Sequence, residues 1–115
     1  MKVQDVVIKL KGEQFLDDRE IYVYASKKNG LIGGAVGAIM GLSLLSVYED
    51  TLYIHKALID NDYGDMVGAF SIPDMVIKKS KSGLMGGNFV FVYEGKKYKY
   101  SLPSRTGEFA QFFVK

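Results

Sequence analysis

His55 is the only histidine in a chain of 115 residues, and no cysteine accompanies it. Imidazole is the side chain best suited to proton transfer near neutrality. A hydrolytic triad also needs a nucleophile and an acid, and nothing in the spacing marks either partner. Without a thiol, disulfides and thiolate metal sites are excluded, and secretion gains no support. His55 is therefore expected to be a polar residue carried on a strand, and an enzyme is not expected. Asp60-Asn61-Asp62-Tyr63-Gly64-Asp65 resembles the opening of a calcium loop. That loop needs glycine at its sixth position and glutamate at its twelfth. Here Asp65 and Ser71 stand there, so the segment reads as an acidic turn with no metal or other cofactor. Gly83 with Gly86-Gly87 lacks the Lys-Ser/Thr pair and the following helix of a phosphate-binding loop. It reads as a turn between strands. Phe89, Phe91 and Tyr93 could stack nucleic-acid bases, but their alternation suits a sheet core equally well and no RNA-binding signature surrounds them. Nucleic acid is not an expected partner.

The charges that remain are unevenly distributed. From Glu49 to Asp74 six acids face Lys56 alone, a net −5. From Met75 to Arg105, Lys78, Lys79, Lys81, Lys96, Lys97, Lys99 and Arg105 face Glu94 alone, a net +6. The six lysines of this second block are the candidate site for an anionic ligand such as a phospholipid headgroup. The competing account is that lysines on strand edges discourage edge-to-edge pairing.

A third feature is compositional. Twenty consecutive residues, from Asn29 to Tyr48, carry no charge, and five of the thirteen glycines fall among them. Gly33, Gly37 and Gly41 form a GxxxGxxxG series, with Gly30 and Gly34 beside it. On a helix, small residues at this spacing let two backbones approach closely, so these five glycines are candidates for helix packing or self-association. Twenty uncharged residues also match one bilayer crossing. Three readings follow: a transmembrane span, a packed helix inserted between strands, or a shallow membrane anchor. A single span would put the strands before Asn29 and after Asp50 on opposite sides of a bilayer, which favours the inserted helix, near residues 31–46. Five glycines make such a helix weak unless it is closely packed.

These residues must be positioned by the elements around them. Residues 2–10 are β-branched and read as a strand with Val6, Ile8 and Leu10 on one face. Residues 11–20 read as a turn or short helix around Phe15 and Leu16. Residues 20–26 read as a strand that alternates Ile21, Val23 and Ala25 with Tyr22 and Tyr24. After the uncharged stretch, strands are expected at 51–59, 67–72, 75–81, 88–93 and 97–102, with Pro73-Asp74 and Ser82–Gly87 between them. Glu94-Gly95-Lys96 is a tight hairpin turn, placing Tyr98, Tyr100 and Leu102 inward and Lys97, Lys99 and Ser101 outward. Past Pro103, Ser104 or Thr106 can cap a helix whose Phe109, Phe112 and Phe113 form one apolar stripe.

Leu52-Tyr53-Ile54-His55 with Leu58-Ile59, Ser71-Ile72-Pro73-Asp74-Met75-Val76, Phe89-Val90-Phe91-Val92-Tyr93, Glu94-Gly95-Lys96-Lys97-Tyr98 and Glu108-Phe109-Ala110-Gln111-Phe112-Phe113 follow one another in an order that resembles the bacterial pleckstrin-homology and GRAM-like families. The resemblance spans roughly residues 51–113. It implies a mainly β (α+β) fold: a small antiparallel barrel, a C-terminal capping helix and a module that binds phospholipid headgroups or protein segments. His55 stands where those families often carry a threonine, and residues 29–48 have no counterpart in the pattern.

The chain is thus expected to be one domain, residues 1–115, with a glycine-zipper insertion at 30–47. Its expected function is a non-enzymatic binding or scaffolding module, associated with anionic membrane lipid, another protein or a second copy. The alternative is a small single-span membrane protein that oligomerises through the glycines. Met1 leads directly into Lys-Val-Gln-Asp, which no signal core would tolerate, so a cytoplasmic location, peripheral to the membrane, is expected.

Overall fold

In the computed structural model, residues 2–27 and 41–114 are described. They form helix α1 (Val3–Gly12), strands β1 (Tyr22–Lys27), β2 (Leu42–Tyr48), β3 (Thr51–Ala57), β4 (Tyr63–Ser71), β5 (Val76–Gly83), β6 (Gly86–Tyr93) and β7 (Lys96–Leu102), and helix α2 (Gly107–Phe112). The seven strands make one antiparallel sheet in the order β4-β3-β2-β1-β7-β6-β5. Two meanders, β1–β4 and β5–β7, are joined where Ser26 and Lys27 pair with Ser101 and Tyr100. The sheet does not close, since β4 and β5 are its two edges.

It does fold over on itself. Phe70 on edge strand β4 meets Phe91, Tyr93 and Tyr98 at ring-centroid distances of 5.3, 5.0 and 5.0 Å. Ser71 N–H donates to the Tyr93 hydroxyl at 3.4 Å. The concave face encloses the main core: Val23, Ala25, Leu45, Val47, Leu52, Ile54, Phe89, Phe91, Tyr100 and Leu102 are buried there. Helix α2 seals one end, with Phe109 and Phe113 packed on Phe89 at 5.3 and 4.7 Å. Ser80 Oγ donates to the Ala110 carbonyl at 2.6 Å, fixing the helix to β5.

Residues 3–12 are helical, not the expected strand. Val6 and Leu10 are buried while Ile8 is 69% exposed. The four-residue spacing of Val6 and Leu10, with Val7 beside them, gives one helical stripe, whereas a strand would have put Ile8 inside. Asp5 in the first turn and Lys9 and Lys11 in the last suit the helix dipole. The stripe packs on the convex side of β1–β4, where Leu16, Leu44 and Tyr63 are buried with it against Phe15, Tyr22 and Tyr24.

The second correction concerns the uncharged stretch. Its last seven residues are strand β2, not the end of a helix over 31–46. Ser43, Leu44, Leu45, Ser46 and Val47 are all buried, because the core lies on one side of β2 and α1 on the other. A strand covered on both faces reads as a continuous apolar run, as a buried helix does. Gly41 precedes β2, and its carbonyl accepts from Lys27 N–H at 2.9 Å; it does not sit on a helix face. Gly30, Gly33, Gly34 and Gly37 lie outside the described residues. The described residues hold seven strands, as many as expected, but with β2 in place of residues 2–10.

Candidate functional site

The β5–β6 and β6–β7 hairpins place the lysines. Lys79 pairs with Val90, which pairs with Lys99; Lys81 pairs with Asn88, and Lys97 with Val92. Phe89, Phe91 and Tyr100 fill the concave core, so the alternate residues Asn88, Val90, Lys97, Lys99 and Ser101 stand on the convex face. No helix covers this part of the sheet among the described residues; α1 lies over β1–β4. A register shift between Ile77 and Lys79 leaves Lys78 as an extra residue on β5, turning it toward the same surface.

The result is a shallow groove of about 420 Å³ lined by Lys78, Lys79, Asn88, Val90, Lys97 and Lys99. Lys79 and Lys99 flank Val90 on neighbouring strands, about 9.5 Å apart at their Cα atoms, twice the strand spacing. Both side chains can reach one anion held above Val90. None of the six lining residues is an acid. Among the described residues, none of these lysines takes part in an ion pair; the pairs are Lys9–Asp62, Lys11 with Asp18 and Glu20, and Arg19–Asp17. Converging amines without counter-charges raise the local potential and attract anions.

Four of the six expected lysines therefore come together. Lys81 is on the same face, two residues nearer the β5–β6 turn, beyond the groove. Lys96 turns away, with its Nζ 5.4 Å from the centre of the Tyr98 ring. Edge protection accounts for lysines on β5, which is an edge strand. It does not account for Lys97 and Lys99, because β7 is paired on both sides, to β1 and β6. Sequence reasoning missed the floor of the groove, Asn88 and Val90. Their outward alternation against Phe89 and Phe91 was the signal that could have found them.

His55 belongs to a different cluster. It is 2% exposed, on the convex side of β3. Its ring lies 4.5 Å from that of Phe15 and 4.8 Å from that of Tyr63. Among the described residues its Nδ1 has no hydrogen-bond partner. Burial pushes the imidazole pKa down from the ordinary value; nearby Glu13 opposes this and Lys9 adds to it. The Tyr63 hydroxyl donates to the Glu13 carboxylate, and Lys9 Nζ sits 2.9 Å from Asp62 Oδ1 and 4.6 Å from the Tyr63 ring centre. Burial, then Glu13, pushes the Tyr63 hydroxyl pKa well up. These contacts clasp α1 to β3 and β4. They also engage Asp62 of the acidic turn, and among the described residues no group of acids and histidines is arranged to hold a metal ion.

Comparisons with protein-family models, with characterised proteins and with solved structures return no match to this chain.

Proposed function

We propose that the chain is a non-enzymatic binding module of the pleckstrin-homology or GRAM-like type, holding an anionic phospholipid headgroup on the convex face of β5–β7. The observation that carries this reading is the groove at Lys78, Lys79, Lys97 and Lys99, where cations on β5 and β7 face solvent on either side of β6 with no acid among the lining residues. Seven antiparallel strands followed by a helix packed on the core agree with the order of elements that the resemblance implies, although the sheet is open where the resemblance implies a closed barrel. A groove of this size suits a small polar headgroup better than an extended macromolecule.

The single-span alternative is less well supported. A bilayer core is about 30 Å thick, yet the strand that precedes the uncharged stretch pairs directly with the end of that stretch, Tyr22–Ser26 with Leu42–Ser46. No helix among the described residues is long and apolar enough to cross a membrane.

The test is vesicle flotation at physiological salt, with phosphatidylcholine vesicles alone or containing anionic lipid. Wild-type protein floats with the anionic vesicles only. Lys79→Glu/Lys99→Glu, which reverses two charges flanking Val90, weakens flotation at least tenfold, at about 1 kcal/mol for each cation lost near a membrane surface. Equal flotation of the two proteins, or none by the wild type, refutes the proposal.

A further inference from the structure

We infer that the tip of the β5–β6 hairpin, Leu84-Met85, enters the acyl region of the membrane whose headgroups the lysine face binds; this rests on the headgroup reading. Leu84 is 79% exposed and Met85 98%. They are consecutive, and they occupy the apex of a two-residue turn whose last rung is Gly83 with Gly86. Isolated apolar side chains on a surface need no explanation. Two at the apex of an ordered hairpin, left largely uncovered by the described residues, form a protrusion shaped for insertion.

The tip is built to hold its shape. Gly86 adopts φ +89°, and a side chain on Gly87 would meet the Lys81 carbonyl oxygen at 1.7 Å. Arg105 N–H donates to the Gly83 carbonyl at 3.0 Å. Ser82 Oγ bonds the Pro103 carbonyl at 3.0 Å and the Thr106 hydroxyl at 2.8 Å. The hairpin base is thus tied to the segment leading into α2, so little conformational entropy remains to be lost on insertion.

Charge complementarity selects an anionic bilayer as the occupant. Lys81 is three residues from Leu84, and Arg105 is joined to the hairpin by its main chain. Behind them, Lys79 and Lys99 continue the basic face. An apolar tip with cations behind it on the sheet matches the two layers of an anionic interface, headgroup over acyl chain. Another exposed apolar pair, Leu58 and Ile59 at 48% and 102%, makes the contrast. It adjoins Asp60, Asp62 and Asp65, which such a surface repels.

The absence of native cysteine allows one environment-sensitive dye to be placed on Met85→Cys, and separately on Ile59→Cys. With vesicles of phosphatidylcholine and phosphatidylserine, the dye at position 85 shifts to the blue and is quenched by lipid-borne quenchers, while the dye at 59 does neither. Leu84→Ser/Met85→Ser lowers vesicle affinity about tenfold or more, from the apolar surface no longer withdrawn from water, with an unchanged urea midpoint because both side chains are exposed. If the labelled protein floats with vesicles and the dye at 85 stays water-like, the insertion is overturned and the headgroup reading stands. If no protein floats, both fall.

Discussion

Replacing His55 by phenylalanine tests the buried cluster under α1. The imidazole is 2% exposed, with Nδ1 unpartnered among the described residues, and leaving a buried polar atom unsatisfied costs about 1–3 kcal/mol. Phenylalanine keeps a ring against Phe15 and Tyr63, now 4.5 and 4.8 Å away, and removes the orphaned nitrogen at the cost of slight overpacking. A net gain of about 1 kcal/mol at pH 7.5 is expected. The pH dependence is the sharper readout. Burial lowers the folded-state pKa, so between that value and the unfolded value of 6.5 the unfolded chain binds the extra proton. Stability is then complete above pH 6.5 and is lost as pH falls through the window below it. A ring that stays neutral in the fold loses up to about 1 kcal/mol between pH 7 and 5.5, the limiting slope being about 1.4 kcal/mol per pH unit. With a urea m-value of about 1.5 kcal/mol/M, the midpoint drops by up to about 0.7 M. His55 is the only histidine, so this window has a single side chain to account for it. Urea titrations at pH 7.5, 6.5 and 5.5 should show the drop in the wild type and not in His55→Phe. Equal slopes in the two proteins would refute the burial argument.

Gly87→Ala should open the β5–β6 hairpin, because the added methyl meets main-chain atoms of Lys81 and Ser82, at 1.7 Å for the Lys81 oxygen; we expect a loss of about 3 kcal/mol or more, read as a urea midpoint and as faster amide exchange in β5 and β6. Asp17 is held at a pKa of about 2, first by the Arg19 hydrogen bond, then by main-chain donors from Glu49 and Arg19 against an opposing effect of burial. Its depressed pKa stabilises the fold above pH 4, and that contribution disappears as pH falls toward 2. After discounting for solvent around this partly exposed pair, with side chains 21% and 46% accessible, Asp17→Asn should cost about 1 kcal/mol at pH 7 and flatten the acid limb of the stability profile.

Much of the second half of the chain was legible because its signals are local. Phe89 and Phe91 alternate with Asn88 and Val90, Glu94-Gly95 turns the chain with both residues at positive φ, and Tyr100 and Leu102 return to the core. Each statement needs only neighbours in sequence and the two-residue period of a strand. The stripe of Phe109 and Phe113 is equally local. The first half misled for a stated reason. Val6, Val7, Ile8 and Leu10 favour strands by type, but the surface available to them was the convex face of the sheet, which accepts a helical stripe. The run Leu42–Val47 looked helical because α1 covers its second face, and that helix was itself read as a strand.

The lysine site was legible only as a list of charges. Local sequence was enough to establish that residues 75–105 carry a net positive charge, that strands and turns alternate there, and that Lys97 and Lys99 point opposite to Tyr98 and Tyr100. Strand pairing in the fold brought Lys79 and Lys99, twenty positions apart, to either side of one valine and decided that Lys96 leans on Tyr98. The fold also decided that His55 is sealed beneath α1. Strand period is a property of neighbouring residues, whereas register, curvature and the choice of which face is covered arise from pairings between residues far apart in the chain.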